Sequence, residues 1–123
     1  MKDITSSYQE LEERVAFTDP ITSTIEWEEQ ILGYFHKGKL KKPYVIQSGD
    51  KYLIFNGNHR VLVAINNQLD LKLRVIENDK DLRIAQEEDE RELRYSLQYD
   101  TVQKELQKAA ETWGWQNPAS WKT

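Results

Sequence analysis

The chain has no cysteine among its 123 residues. Disulfides, thiolate metal sites and cysteine nucleophiles are therefore excluded together, and compartment is left open. Its two histidines, His36 and His59, show no metal-binding spacing. No apolar run approaches the roughly 18–20 residues of a membrane span, so no membrane association is expected. The Met1-Lys2-Asp3 start is followed by polar residues rather than a leader's apolar stretch, and the expectation is a cytoplasmic protein. A basic excess is missing too. The net charge of −4 argues against a general nucleic-acid binder, whose phosphate partners demand a basic surface.

What is present fits one domain spanning 1–123. Its charge is uneven. Lys37, Lys39, Lys41, Lys42, Lys51 and Arg60 form a basic stretch, whereas Glu87, Glu88, Asp89, Glu90 and Glu92 crowd a later one. The basic stretch suits a small anion, or is a solvated lysine-rich loop. The acidic run suits a solvated helix face with pairs such as Glu87 to Arg91.

Residues 52–77 organise the rest. Residues 52–55 are a short apolar run of strand formers. Asn56-Gly57 is a turn signal, since glycine accepts positive φ and asparagine tolerates it. Asn58 is placed to cap a helix whose apolar face is Val61, Leu62, Ala64 and Ile65. Leu71, Leu73 and Val75 then alternate with Lys72 and Arg74, as a strand requires. His59 and Arg60 fall on the first helical turn, where unpaired N–H groups favour an anion.

Upstream, residues 2–17 read as a helix capped by Ser6 or Ser7, with Leu11, Val15 and Tyr8 on one side. Thr18-Asp19-Pro20 breaks it. A second helix is expected over about 24–37, burying Ile25, Ile31, Leu32 and Phe35, with Gly38 as its stop and His36 against its last carbonyls. Residues 44–46 and 52–55, joined by Ser48-Gly49-Asp50-Lys51, read as a hairpin. A strand following a helix of this length implies a parallel neighbour, hence a small mixed α/β (α+β) sheet. Residues 79–123 read as a helical C-terminal extension, broken near Tyr99-Asp100 with Asp100 as cap and ended by Gly114. Trp113, Trp115 and Trp121 close it, packing back on the domain or meeting a partner.

The run Phe55-Asn56-Gly57-Asn58-His59-Arg60, with Ala64 later, resembles the phosphate-binding signature of the ParB/sulfiredoxin-like superfamily. The order around it is similar: a helix ending at Gly38, Leu40 and Pro43 before a strand, a hairpin, the motif, and a strand closing on Val75 and Ile76. The resemblance covers about residues 25–77 and implies a ParB/sulfiredoxin-type sheet that binds a nucleotide, with a nucleoside triphosphate and Mg²⁺ as the implied cofactor. Carried onto this chain, Asn56, Gly57, Asn58, His59 and Arg60 form the phosphate site. Gly57 admits the phosphate to the backbone, Arg60 grips its oxygens, and His59 donates a hydrogen bond or steadies a transferring phosphoryl group, which makes it a catalytic candidate.

Departures from the family pattern narrow the possible functions. The cysteine that sulfiredoxins need is replaced by Asn58, so sulfinic acid reduction is excluded. Asn56 stands where kinase-like and nuclease-like relatives often carry aspartate, and an amide is poor both as a Mg²⁺ ligand and as a base. Glu26, Glu28 and Glu29 are alternative bases, more simply a solvated face. Three functions remain: a nucleotide binder with weak phosphohydrolase or phosphotransfer activity; a non-catalytic interaction module acting through its C-terminal helices, as homo-oligomer or with a protein partner; and, with least support, a nuclease. A structural His59-Arg60 pair, with Arg60 on Asp50 or a C-terminal glutamate, is the plain alternative.

Overall fold

Apolar runs with no polar alternation need cover on both faces, and β3 and β4 receive it. The computed structural model describes residues 1–17, 25–88 and 101–113. Their order is β1 (Lys2–Ser6), α1 (Tyr8–Arg14), β2 (Val15–Ala16), α2 (Ile25–His36), β3 (Tyr44–Ser48), β4 (Lys51–Asn56), α3 (Asn58–Asn66), β5 (Leu71–Ile76), α4 (Asp79–Glu88) and α5 (Val102–Trp113). The strands form one mixed sheet in the order β1-β5-β3-β4-β2. β3 and β5 run parallel, linked through β4 and the crossover helix α3, while β1 lies antiparallel on β5. The small mixed α/β sheet read from the sequence is the one observed.

Successive side chains of a strand point to opposite faces. Val45, Tyr52, Ile54, Leu71, Leu73 and Val75 therefore join Leu11 of α1 and Val61 and Ala64 of α3 in one core. Tyr44, Ile46, Leu53, Phe55 and Ile76 meet Leu82, Ala85, Val102, Leu106 and Ala109 of α4 and α5 in another. Each buried valine, leucine, isoleucine or phenylalanine among them contributes about 1.5–3 kcal/mol. No helix among the described residues is long and apolar enough to cross a membrane.

The turns obey their residues. Gly49 takes φ +60° at the first central position of the two-residue hairpin, as a type II′ turn requires. Gly38, at φ +69°, ends α2 with Gly38 N–H donating to the Phe35 carbonyl and Lys39 N–H to that of Tyr34. Ser7 caps α1 by accepting from the Glu10 N–H at 3.2 Å.

Several expectations are corrected. Residues 2–17 are not one helix. A cap at Ser7 leaves everything before it non-helical, and Ile4 and Thr5 are strand formers whose ladder lies on distant β5. Ile25 is 75% exposed rather than buried, because it begins α2. On α3, Val63 is buried, while Leu62 and Ile65 are only half-buried. Thr101 caps α5 through its hydroxyl, which accepts from Lys104 N–H at 3.2 Å. The expectations for Pro20, Asp100 and Gly114, and for the packing of Trp113, Trp115 and Trp121, lie outside the described residues and side chains.

Asp3 of β1, Arg74 of β5 and Tyr44 of β3 are cross-strand neighbours. Arg74 bridges Asp3 at 3.3 Å and Glu88 at 3.0 Å, and Lys42 reaches Asp3 at 2.7 Å. The Lys42 hydrogen bond holds the Asp3 carboxyl below its ordinary value; desolvation opposes it, and the Lys42 and Arg74 charges then lower it further. A depressed carboxylate adds stability above its unfolded pKa and loses it as pH falls through the lower folded value. The Asp3 carboxyl should titrate by NMR at lower pH than a free aspartate. Lys42→Ala or high salt should move its midpoint upward; an unchanged midpoint would remove the ion pair from the account.

Gln68 supplies a second test. It takes φ +55° just after α3, where its N–H donates to the Ile65 carbonyl and Leu69 N–H donates to that of Ala64. The left-handed region costs a non-glycine residue about 1–2 kcal/mol. Gln68→Gly should therefore stabilise the protein by about 1 kcal/mol in denaturant titrations.

Candidate functional site

β4 delivers the chain to Asn56, Gly57 turns it, and α3 starts at once. The helix begins one residue earlier than the sequence suggests. Gly57, not Asn58, occupies the capping position, at φ +106° and ψ 29° and with no side chain to cap with. Asn58 is the first helical residue. The first intrahelical bond at this end runs from Val61 N–H to the Gly57 carbonyl at 3.1 Å, and residues 58–60 form the helix's first turn before it.

Gly57 is enclosed. A Cβ placed on it would lie 2.8 Å from Cβ of Pro43 and 2.9 Å from Nη2 of Arg60. Pro43 is fully buried. The Arg60 guanidinium folds back over the glycine, Nη1 donating to the Lys41 carbonyl at 2.7 Å and Nη2 to Oδ1 of Asn56 at 3.4 Å. Arg60 thus fastens the segment 39–43 to the motif. Pro43 extends the connection into the sheet, its carbonyl accepting from Arg74 N–H at 2.9 Å, and Lys42 continues it to Asp3. Asp50 is not placed to pair with Arg60. It lies in the hairpin turn at the far end of β4, about 20 Å away by strand rise.

His59 has a partner that the sequence did not suggest. Its ring stacks on Trp27 of α2, centroids 5.2 Å apart and planes 18° from parallel. Trp27 sits among Glu26, Glu28 and Glu29, and only its identity as an aromatic in a polar turn could have marked it. Glu28 turns the other way, accepting from Nδ2 of Asn67 at 2.7 Å. Asn67 is eight positions beyond His59, about 12 Å along the helix, so Glu28 is not a base for the motif.

The structure brings together Asn56, Gly57, Asn58, His59 and Arg60, with Trp27, Lys41 and Pro43 around them. It disperses the basic stretch. Lys51 sits at the start of β4, its ammonium donating to the Glu13 carbonyl at 2.8 Å, and Lys42 is spent on Asp3. Lys39 and Lys41 remain exposed on the segment that Arg60 holds. Among the described residues, no group of three or more His, Cys, Asp or Glu side chains is arranged to hold a metal ion.

Two glycines separate backbone strain from crowding. Gly38→Ala meets open space and should cost only the left-handed penalty, about 1–2 kcal/mol. Gly57→Ala adds the collision with Pro43 and Arg60 and should cost clearly more. Equal losses in denaturant titrations would show that the enclosure of Gly57 is not tight. Comparison with protein-family models, curated proteins and solved structures gave no match, so the likeness to the ParB/sulfiredoxin-like superfamily rests on the turn residues and the order of elements around them.

Proposed function

We propose that the chain binds the phosphate groups of a nucleotide at the β4–α3 turn, with Asn56, Gly57, Asn58, His59 and Arg60 as its contacts. The observation that carries this reading is the guanidinium held over a left-handed glycine directly ahead of the α3 N–H groups. Oriented N–H dipoles and a planar cation complement a tetrahedral dianion. His59, kept flat by Trp27, offers a ring nitrogen at the rim. A Mg²⁺ ion would come with the nucleotide. With an amide at Asn56 and Glu28 turned away, hydrolysis or transfer of phosphate would rest on positioning and charge alone and would be slow.

A second reading has its own support. The Lys41 and Asn56 acceptors of Arg60 are neutral, a carbonyl and an amide, which suits a structural joint. The chain would then act by contact with another protein. Leu82, Ala85, Val102, Leu106 and Ala109 of α4 and α5 pack on the sheet, so such a partner would meet the other sides of these helices.

Calorimetric titration with ATP, ADP, CTP and GTP, with and without Mg²⁺, separates the two. Saturable binding weakened about 10- to 100-fold in Arg60→Ala, with that variant still folded, supports the nucleotide site; a charge-assisted hydrogen bond is worth about 1.5–3 kcal/mol. Absence of heat at millimolar nucleotide in folded protein overturns it. An Arg60→Ala protein that unfolds supports the structural joint.

A further inference from the structure

Helix α2 is fastened differently from the rest of the fold. Of its twelve residues Ile31 alone is buried, whereas the nine-residue α3 buries Val61, Val63 and Ala64. Neither core cluster takes in Ile31, Leu32 or Phe35. Ile25, Trp27 and Tyr34 are 75%, 49% and 47% exposed, a large apolar surface for one helix to leave in water. Its attachment to α3 includes a ring stack, Trp27 on His59, and a hydrogen bond from Asn67 to Glu28. Both contacts can be undone without opening the sheet.

Movement at the far end of α2 must break the Lys39 N–H bond to the Tyr34 carbonyl, which spans Gly38. Gly38 is left-handed, and beyond its two chain neighbours no atom among the described residues lies within 4 Å of where its Cβ would be. Two residues later the chain is fixed again. Leu40 packs against the α1–α3 core, Arg60 holds the Lys41 carbonyl, and Pro43 is buried. Rotation is therefore confined between His36 and Leu40.

We propose that α2 is a lid over the first turn of α3, pivoting at Gly38 and latched by the Trp27–His59 stack, which opens as one unit while the sheet stays folded. Opening uncovers the ring face of His59. Such a lid moves in the same way whatever binds at the turn.

Amide hydrogen exchange on the full chain tests it. The amides of α2 should exchange as one block, with a common protection well below that of β3 and β5. Trp27→Ala should speed the α2 block roughly 2- to 10-fold, the worth of one aromatic pair, and leave β3 and β5 unchanged. Protection in α2 equal to that of β5 overturns the lid, as does a gradient that rises steadily from Ile25 to Phe35, which is end fraying. Acceleration of all elements together by Trp27→Ala overturns the latch. The cysteine-free sequence allows a second readout that does not use Trp27. A thiol in Ile31→Cys should react with an alkylating reagent at least about tenfold faster than one in Leu73→Cys, since the first needs only the lid to open and the second the sheet. Equal rates overturn the proposal.

Discussion

Burial of β3 and β4 on both faces is the constraint on which the other elements depend. A backbone with no water on either side must pair its N–H and C=O groups within the sheet. β3 therefore sits between β4 and β5, and helices must cover each surface. α1 and α3 supply one cover, α4 and α5 the other. The β4–α3 turn is a by-product of this layering. The chain leaves a buried strand and must enter a helix above the sheet within one residue, and only glycine accepts the φ of +106° that this takes. Any ligand site at the turn thus inherits its geometry from the core.

Features whose cause is local were legible in the sequence. Gly38, Gly49 and Gly57 mark their turns because positive φ is a property of the residue itself. The alternation of Leu71, Leu73 and Val75 identified β5 for the same reason. The parallel pairing of β5 followed from the length of α3. What failed was non-local. β1 has a single apolar residue, Ile4, and its partner strand is remote, so two strand formers, Ile4 and Thr5, were too few to announce a strand. The start of α3 moved by one residue because the demand for positive φ outranked a side-chain cap at Asn58.

The candidate site divides in the same way. The five motif residues do meet, since they are contiguous. Their surroundings could not be read. Arg60 is held by the carbonyl of Lys41, and a carbonyl has no residue identity to search for. Trp27 reaches His59 only because α2 lies on α3. The basic stretch looked like a cluster because its lysines are close in sequence. The hairpin then carried Lys51 to the opposite end of the sheet.

The pairing of β1 with β5 bears on how the chain assembles. Lys2 lies opposite Val75 and Ser6 opposite Leu71, so the strand's partner comes about seventy positions later. At ribosomal speeds of roughly 5–20 residues per second, β1 waits several seconds before its ladder can form. The β3–β4 hairpin, closed by a two-residue turn, needs microseconds once it is made. Of the five strands described, the first in sequence is thus among the last placed. An unpaired strand invites association with other chains, and Lys2 and Asp3, which make β1 hard to recognise as a strand, also keep it solvated while it waits.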